Sequence, residues 1–248
     1  MSAHLNDLHD KFKHDVTNDE KWETLKTELS KIGFEYARYG LLTAFHGRIS
    51  LQDSIELGSF CNEWEENQKG KDWLVHDHVA KHLVFNSDPL TFRELYRRLD
   101  YGELNEAESK NHEMSRQIGM LNGVAIPLSS MLPTSAAGIS LEGSRGIGTK
   151  EFDEHLNENL EDLIAITEMF HASLNRRTLL PNSRIPTERE KECLTWVMAG
   201  LRVQEVAYKM GTHPKTVEKQ LASARAKLGA KTTAQAVTRA IALDLIIL

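Results

Sequence analysis

The stretch from Val203 to Leu221, near the C-terminus, constrains the fold more than any other part of the chain. Its first half places apolar residues at the i, i+3, i+4 and i+7 spacing of a helix, at Val203, Val206, Ala207 and Met210. Gly211 follows, and a glycine adopts the positive φ of a tight turn without a Cβ clash. Pro214 suits the first turn of a second helix, whose apolar face continues at Val217. Two short helices joined by a tight turn predict a helix-turn-helix, although an ordinary αα-hairpin shares this pattern.

The distribution of charge favours DNA binding over a plain αα-hairpin. The 248-residue chain has a net charge of −6, but the residues from Arg184 onward contain 11 Lys and Arg against 6 Asp and Glu. Residues 1–183 contain 19 basic and 30 acidic side chains, so a module of charge +5 follows a body of charge −11. A basic module on an acidic body indicates that only the C-terminal part binds phosphate. The acidic body therefore needs another function.

Composition also narrows the class of protein and its compartment. Cys61 and Cys193 are too few for a disulfide framework or a four-thiolate zinc site. No apolar run approaches the roughly 18–20 residues of a membrane span, and the polar N-terminus lacks the core of a signal peptide. These features predict a cytoplasmic protein without a membrane partner.

Helical and extended patterns account for the rest of the chain. Thr17 followed by Glu20 predicts a capping box at the start of a helix within residues 1–33. Residues 59–99 have the pattern of loops and short helices, broken at Gly70 and Pro89. Strands are predicted at Phe34–Phe45, Gly123–Leu128 and Ala136–Leu141, the last two as a hairpin or meander. Four helices are predicted in the basic module, at about 187–199, 203–210, 214–228 and 232–247.

A long amphipathic helix is predicted at Glu151–Arg177, immediately before the basic module. Its apolar stripe consists of Leu156, Leu160, Leu163, Ile164, Thr167, Phe170 and Leu174. Such a stripe covers a sheet, faces a second subunit, or does both.

The basic module resembles the LuxR-type helix-turn-helix over about the last 65 residues. The matching positions are Ile185–Glu190, Leu194, Gly200, Glu205–Ala207, Thr216–Lys219 and Lys227–Gly229. The resemblance implies that the helix from Pro214 to Leu228 lies in the major groove of operator DNA. We expect Thr216, Gln220, Ser223 and Lys219 to reach base edges, and Lys215, Arg225 and Lys227 to contact phosphates. Glu218 either accepts from cytosine or, as we favour, pairs with Arg202 or Arg225.

The body resembles the autoinducer-binding domain of quorum-sensing LuxR proteins, whose pattern is Trp-x3-Tyr-x8-Asp-Pro. Trp64, Gln68 and Asp77 stand at the first three positions of that pattern, with Trp73 between them and Phe92 fifteen residues beyond Asp77. Further similarity lies at Phe34–Tyr36, at Gly123 with Pro127, and at Gly138–Ser140. The resemblance implies an N-acyl-homoserine lactone as the small-molecule signal, with no catalytic residues, metal or other cofactor.

The chemistry of such a ligand assigns roles to particular side chains. An indole N–H only donates, so Trp64 suits the lactone carbonyl; a carboxylate only accepts, so Asp77 suits the amide N–H. Ser140 is able to donate to the amide carbonyl. The acyl tail is expected against Tyr36, Leu42, Phe60, Trp73, Val79 and Phe92, with Gln68 near the mouth of the pocket. The alternative is that Trp64 and Asp77 are core packing and a helix cap.

Several positions depart from the family pattern. Phe60 and Gln68 stand where tyrosines are usual, Phe92 where tryptophan is usual, and His78 where proline is usual. Phe60 removes one donor to the acyl carbonyl, so an unusual acyl group, an aromatic one included, and a non-lactone signal are alternatives to an ordinary acyl-homoserine lactone.

Two other motifs are given less weight. His78 and His82 have the spacing of a metal pair, but no third ligand besides Asp77 is evident. The glycine-rich segment 143–150 has Thr before Lys, the reverse of a phosphate-binding loop.

The sequence therefore predicts an α+β transcriptional regulator that is not an enzyme. An N-terminal α/β/α sandwich with a central antiparallel sheet spans residues 1–176, a linker spans 177–184, and a four-helix helix-turn-helix domain spans 185–248. We expect a homodimer that binds double-stranded operator DNA when the signal is bound, although the reverse response occurs in the family. The alternatives are a LuxR-type solo regulator that senses a non-lactone molecule or none, and an enzyme with a fused DNA-binding tail.

Overall fold

The computed structural model divides the chain into two compact units, Met1–Leu174 and Asn175–Leu248. The residues it describes are 8, 10–13, 16–45, 48–68, 76–129, 135–144, 146–179 and 184–246, with side chains left undescribed at 42–54, 59, 67–68 and 135. The first unit contains α1 (Asn18–Lys31), β1 (Phe34–Phe45), β2 (Arg48–Ser59), α2 (Asn62–Gln68), α3 (His78–Phe85), β3 (Leu90–Thr91), α4 (Phe92–Asp100), α5 (Glu106–Gln117), β4 (Gly123–Leu128), β5 (Ser135–Gly143) and α6 (Thr149–Ser173). The second contains a 3₁₀ turn (Arg176–Leu179), α7 (Glu188–Met198), α8 (Val203–Lys209), α9 (Pro214–Lys227) and α10 (Thr233–Ala242).

A five-stranded antiparallel sheet in the order β2-β1-β5-β4-β3 forms the middle layer of the first unit. The predicted strands β1, β4 and β5 are confirmed. Strand β2 was missed, although its alternation of apolar and polar residues is typical of a strand with one face exposed. Successive side chains of each strand point to opposite faces, so the sheet presents two different surfaces.

Helices α1 and α6 cover one face of the sheet. Tyr39 of β1 is fully buried there, with its ring centroid 5.7 Å from that of Phe170 on α6, and Trp22 of α1 packs on the same phenylalanine at 5.5 Å. The predicted capping box at Thr17 and Glu20 begins α1, and its two reciprocal hydrogen bonds are present. This apolar layer fixes the sheet from one side.

The predicted long helix has different ends from those expected. It spans Thr149–Ser173 rather than Glu151–Arg177, because Leu174 is extended at φ −62°, ψ 131° and a separate 3₁₀ turn follows. Most of the predicted stripe is buried against the sheet, including Leu156, Leu163 and Phe170, whereas Leu160 and Ile164 remain partly exposed. The helix therefore covers the sheet, and the described residues leave Leu160 and Ile164 on its partly exposed edge.

Helices α2 to α5 cover the opposite face, so the first unit is the predicted α/β/α sandwich. Two apolar clusters form on this side. The aromatic cluster contains Phe60, Cys61, Trp64, Phe92, Tyr96 and Met120, and the aliphatic cluster contains Val79, Leu83, Leu90, Leu95, Leu104 and Ala125. The second unit is the predicted four-helix module.

Candidate signal-binding site and nucleic-acid interface

A cavity lies on the face of the sheet covered by α2 to α5, and residues of both apolar clusters line it. About 70 Å³ of it is open to the centre of a water-sized sphere. One water molecule requires only about 10–15 Å³ by this measure, so the cavity has room for a larger molecule.

The floor of the cavity is set by the register of β1 and β5. Arg38 is the Cα partner of Ser140, and Gly40 is the partner of Gly138, so two polar residues and two glycines occupy neighbouring rows. Ser140 is buried, and its hydroxyl forms no hydrogen bond among the described residues. This hydroxyl lines the cavity and is therefore available to bond a ligand atom.

Trp64 of α2 is buried at the end of the cavity that Arg38, Asp77 and Ser140 line, which we call the polar end. Its neighbours fix the orientation of the indole. The ring of Phe60 meets it edge to face, with centroids 5.1 Å apart. The Arg38 guanidinium carbon lies 4.6 Å from its ring centroid, in cation–π geometry. Arg38 is held in turn by ion pairs with Glu56 of β2 and Glu65 of α2. The indole is therefore pre-positioned before any ligand arrives.

Asp77 caps α3 and faces the same cavity. Its Oδ1 accepts a hydrogen bond from the backbone N–H of Val79 at 2.9 Å, as an N-cap carboxylate does. Its second oxygen, Oδ2, has no hydrogen-bond partner within the described parts of the chain. Helix capping and ligand binding are therefore compatible roles for Asp77, since each uses a different oxygen.

His112 of α5 is a buried neighbour of Asp77. Its Nε2 lies 3.4 Å from Asp77 Oδ1 and accepts a hydrogen bond from the backbone N–H of His78 at 3.1 Å. Burial lowers the pKa of His112, an effect only partly offset by the negative charges of Asp77 and Glu108. The imidazole is therefore neutral near pH 7, so the charge of Asp77 is not cancelled by an adjacent cation.

A second polar group on α5 is the buried Ser115, whose hydroxyl donates to the carbonyl of Asn111 at 3.3 Å and which also lines the cavity. Tyr96 of α4 donates its hydroxyl proton to the carbonyl of Met120, and burial raises the pKa of that phenol. Tyr96 thus contributes its ring to the wall while its hydroxyl is engaged.

The structure brings six of the ten predicted ligand residues to the cavity. They are Phe60, Trp64, Asp77, Val79, Phe92 and Ser140. Tyr36 packs against the aromatic cluster, outside the cavity lining. Trp73 and the side chains of Leu42 and Gln68 lie outside the described residues.

Sequence reasoning missed several residues of the lining, above all Arg38, Leu83, His112 and Ser115. The i, i+4 spacing of Val79 and Leu83 gave a usable signal, because residues four apart share one face of a helix. Arg38 and His112 carried no comparable signal, because they reach the cavity only through strand register and helix packing. His82, considered above as part of a metal pair, instead bonds the carbonyl of Asp88 at 2.7 Å.

The second unit has the geometry of a helix-turn-helix. Gly211 takes φ +59° between α8 and α9, and the backbone N–H of Thr212 bonds the carbonyl of Ala207 at 2.9 Å, which closes the turn. Helix α9 begins at Pro214 and buries Val217, Leu221 and Ala224 against the module. Its outer face is left accessible.

The seven predicted DNA-contacting residues all lie on α9 but differ in their environments. Lys215, Thr216 and Lys219 are exposed, and Gln220 is partly exposed. Arg225 donates to the hydroxyl of Thr233 at 3.4 Å.

The carboxylate of Glu190 on α7 bonds two of the seven predicted DNA-contacting residues, Lys227 and Ser223. Lys227 Nζ lies 2.8 Å from the buried Glu190 carboxylate, which also bonds Ser223. Burial favours a raised pKa for Glu190, but the bonds from Lys227, Ser223 and Thr187 outweigh it and lower that pKa. The favoured pairing of Glu218 with an arginine is wrong, because Glu218 is exposed and forms no ion pair within residues 184–246.

A small-molecule cavity in one unit and a helix-turn-helix in the other define a signal-responsive DNA-binding regulator. Comparison with known families agrees. The autoinducer binding domain matches residues 17–174, and the luxR family of bacterial regulatory proteins matches residues 186–240. The chain belongs to the LuxR family of quorum-sensing transcriptional regulators, which are not enzymes. No helix in the described ranges has the length and apolar character that crossing a bilayer would require.

Relatives and solved structures show the same organisation. The transcriptional activator protein AnoR of Acinetobacter nosocomialis is 23% identical over 250 residues, covering 99% of this chain and 100% of AnoR. Escherichia coli SdiA has a similar structure, with a TM-score of 0.61 at 20% identity and 99% coverage of both chains. SdiA in complex with octanoyl-rac-glycerol gives a TM-score of 0.59 at 18% identity, covering 97% of this chain and 94% of that one. These likenesses support the two-domain fold.

Proposed function

We propose that the cavity binds an N-acyl-homoserine lactone and that the liganded protein binds operator DNA as a homodimer in the cytoplasm. The position of Asp77 carries this proposal: its Oδ2 has no partner among the described residues, and it lines a cavity that Trp64 and Ser140 also line. In it, Asp77 accepts from the amide N–H, the Trp64 indole donates to the lactone carbonyl, and Ser140 donates to the amide carbonyl. In each of these bonds a donor on one molecule faces an acceptor on the other.

The electrostatics of the polar end favour an uncharged ligand. Among the described residues that line the cavity, Arg38 is the cation, and it is already paired with two carboxylates, Glu56 and Glu65. Together with Asp77 these four groups have a formal net charge of −2. An acyl homoserine whose ring has been hydrolysed would add another negative charge, so we expect the closed lactone to bind in preference to the acid.

A second candidate ligand is an uncharged acyl ester with a hydroxylated head. Phe60 lacks the hydroxyl that a family tyrosine would direct at the acyl carbonyl, and the SdiA structure described above contains octanoyl-rac-glycerol. The hydroxyls of such a ligand would donate to Asp77 in place of the amide N–H. In this case the protein is a solo regulator of a non-lactone signal.

The DNA-binding half of the proposal assigns the domain to residues 185–248 after a linker at 177–184. Thr216 and Gln220 contact base edges. The exposed Lys215 contacts a phosphate, and the exposed Lys219 contacts either a phosphate or a base. Lys227 and Ser223 instead stabilise the domain through Glu190, so their direct contribution to DNA binding is smaller than the sequence predicted. Two such domains bind half-sites about one helical turn apart.

Linkage between ligand binding and folding supplies the mechanism. A ligand that binds only the folded first unit stabilises it by about 2.7 kcal/mol at a hundredfold excess over Kd. A stable unit presents the partly exposed edge of α6, including Leu160 and Ile164, to a second copy. The signal thereby raises the concentration of dimers and their affinity for DNA.

Mass spectrometry of organic extracts tests the ligand class directly. The full-length protein is expressed with an acyl-homoserine lactone, with 1-octanoylglycerol, or with neither, then purified and extracted. We expect a stoichiometric lactone and a dimer by light scattering. A bound glycerol ester with no lactone would favour the second candidate, and no bound mass under any condition would refute both.

A further inference from the structure

Leu83 of α3 packs directly onto a glycine in the floor of the cavity. A Cβ atom at Gly138 of β5 would lie 2.6 Å from both terminal methyl carbons of Leu83. Such a distance is shorter than any ordinary carbon contact, so Leu83 occupies the space that a side chain at position 138 would fill. Leu83 and Gly138 also both line the cavity.

The position of this contact is displaced from the polar end in two independent ways. On the sheet, the Gly40–Gly138 row is one pleat repeat, about 7 Å, from the Arg38–Ser140 row. On the helix side, Leu83 lies six residues after Asp77, or about 9 Å along the axis of α3. Leu83 therefore forms the wall of the cavity on the side where the tail of a ligand anchored at Asp77 must run.

Leu83 is anchored in a buried aliphatic cluster. Leu90 and Leu104 belong to the same aliphatic cluster as Leu83, but neither of them lines the cavity. A tail that reached Leu83 would have to displace a side chain of this buried cluster to pass it, which a well-packed core resists.

We propose that Leu83, seated against Gly138, sets the longest acyl chain that the cavity accepts. This proposal rests on the proposed function, in that it requires an acyl-chain ligand. Each methylene buried before the wall contributes about 0.8 kcal/mol, or a roughly fourfold gain in affinity. The first methylene beyond the wall gains nothing and collides with Leu83, so affinity passes through a maximum at one chain length.

The test measures Kd for the full-length protein against saturated acyl-homoserine lactones from butanoyl to dodecanoyl. Leu83→Ala removes three carbon atoms from the wall, so we expect the preferred chain to lengthen by about three carbons. Leu90→Ala is the matched control, because it removes the same atoms from the same cluster without touching the cavity. We expect its preferred chain length to equal that of the wild type.

Gly138→Ala should change the preferred chain length in the opposite direction, and it removes no atoms from the core. Its methyl group must displace the flexible end of Leu83 into the ligand space, so we expect the preferred chain to become shorter. In the double variant Gly138→Ala/Leu83→Ala, the new methyl partly fills the space that Leu83 vacates, and the preferred length should return towards that of the wild type. The Gly138→Ala measurement also keeps the proposal testable if Leu83→Ala does not fold.

The outcomes separate the two proposals. An unchanged optimum in Leu83→Ala and Gly138→Ala, or an equal shift in Leu90→Ala, would overturn the role of Leu83 while leaving the ligand class intact. If the wild type binds no lactone of any length, the lactone proposal fails. The same comparison with 1-acylglycerols then decides the role of Leu83: a shift there supports it, and no shift or no binding overturns it.

Discussion

Replacement of Asp77 by asparagine separates the two roles that the structure gives this carboxylate. Asparagine is as good an N-cap as aspartate, so its carbonyl oxygen continues to accept from the Val79 N–H. Its amide nitrogen then takes the place of Oδ2, so that a donor faces the ligand N–H. The variant therefore loses the ligand contact and keeps the cap.

The expected loss follows from the strength of the contact removed. A hydrogen bond to a charged acceptor is worth about 1.5–3 kcal/mol, so Asp77→Asn should weaken signal binding about 10- to 150-fold. The unliganded protein should unfold at nearly the same temperature as the wild type. Isothermal titration calorimetry gives the first quantity, and differential scanning calorimetry without ligand gives the second.

Asp100→Asn is the matched control, since Asp100 is a more exposed carboxylate that pairs with Arg116 outside the cavity lining. We expect its ligand affinity to stay within about twofold of the wild type, because exposed ion pairs contribute little. Asp77→Asn with affinity within threefold of the wild type would refute a direct bond from Asp77 to the ligand. A loss of unliganded stability as large as the loss of binding would instead identify Asp77 as a structural residue alone.

Three further variants test the fold and the DNA interface. Glu190→Gln should destabilise the second domain by about 1–3 kcal/mol at pH 7, because it removes the buried charge that Lys227 pairs with. The pKa of Glu190 is lowered in the folded protein, so this stabilisation is present above the unfolded pKa of about 4.3 and is lost as pH falls through the folded pKa. The stabilities of wild type and variant should therefore converge in acid unfolding curves. Lys219→Ala should weaken operator binding and, if Lys219 contacts phosphate, reduce the salt slope by about one unit; an unchanged affinity would remove it from the interface. Gly58→Ala should lower the thermal midpoint, because Gly58 takes φ +78° and a Cβ there would lie 2.2 Å from the ring of Trp22. An unchanged thermal midpoint would contradict that local geometry.

Local chemistry allowed much of this protein to be predicted from its sequence. The capping box at Thr17, the turn at Gly211 and the start of α9 at Pro214 are short-range features, and each is present as expected. The apolar periodicities of α6 and the C-terminal helices depend only on helix geometry, so they too were visible. The spacing of Trp64 and Asp77 identified two residues that line the cavity, because it resembles the pattern of autoinducer-binding domains.

Tertiary structure alone decided the rest of the site. Arg38 stacks on Trp64 because strand register brings it opposite Ser140, and Leu83 contacts Gly138 because α3 packs on β5. These pairs are far apart in the sequence, and no periodicity links them. Which buried polar atoms find partners, and which remain available to a ligand, depends on such long-range packing.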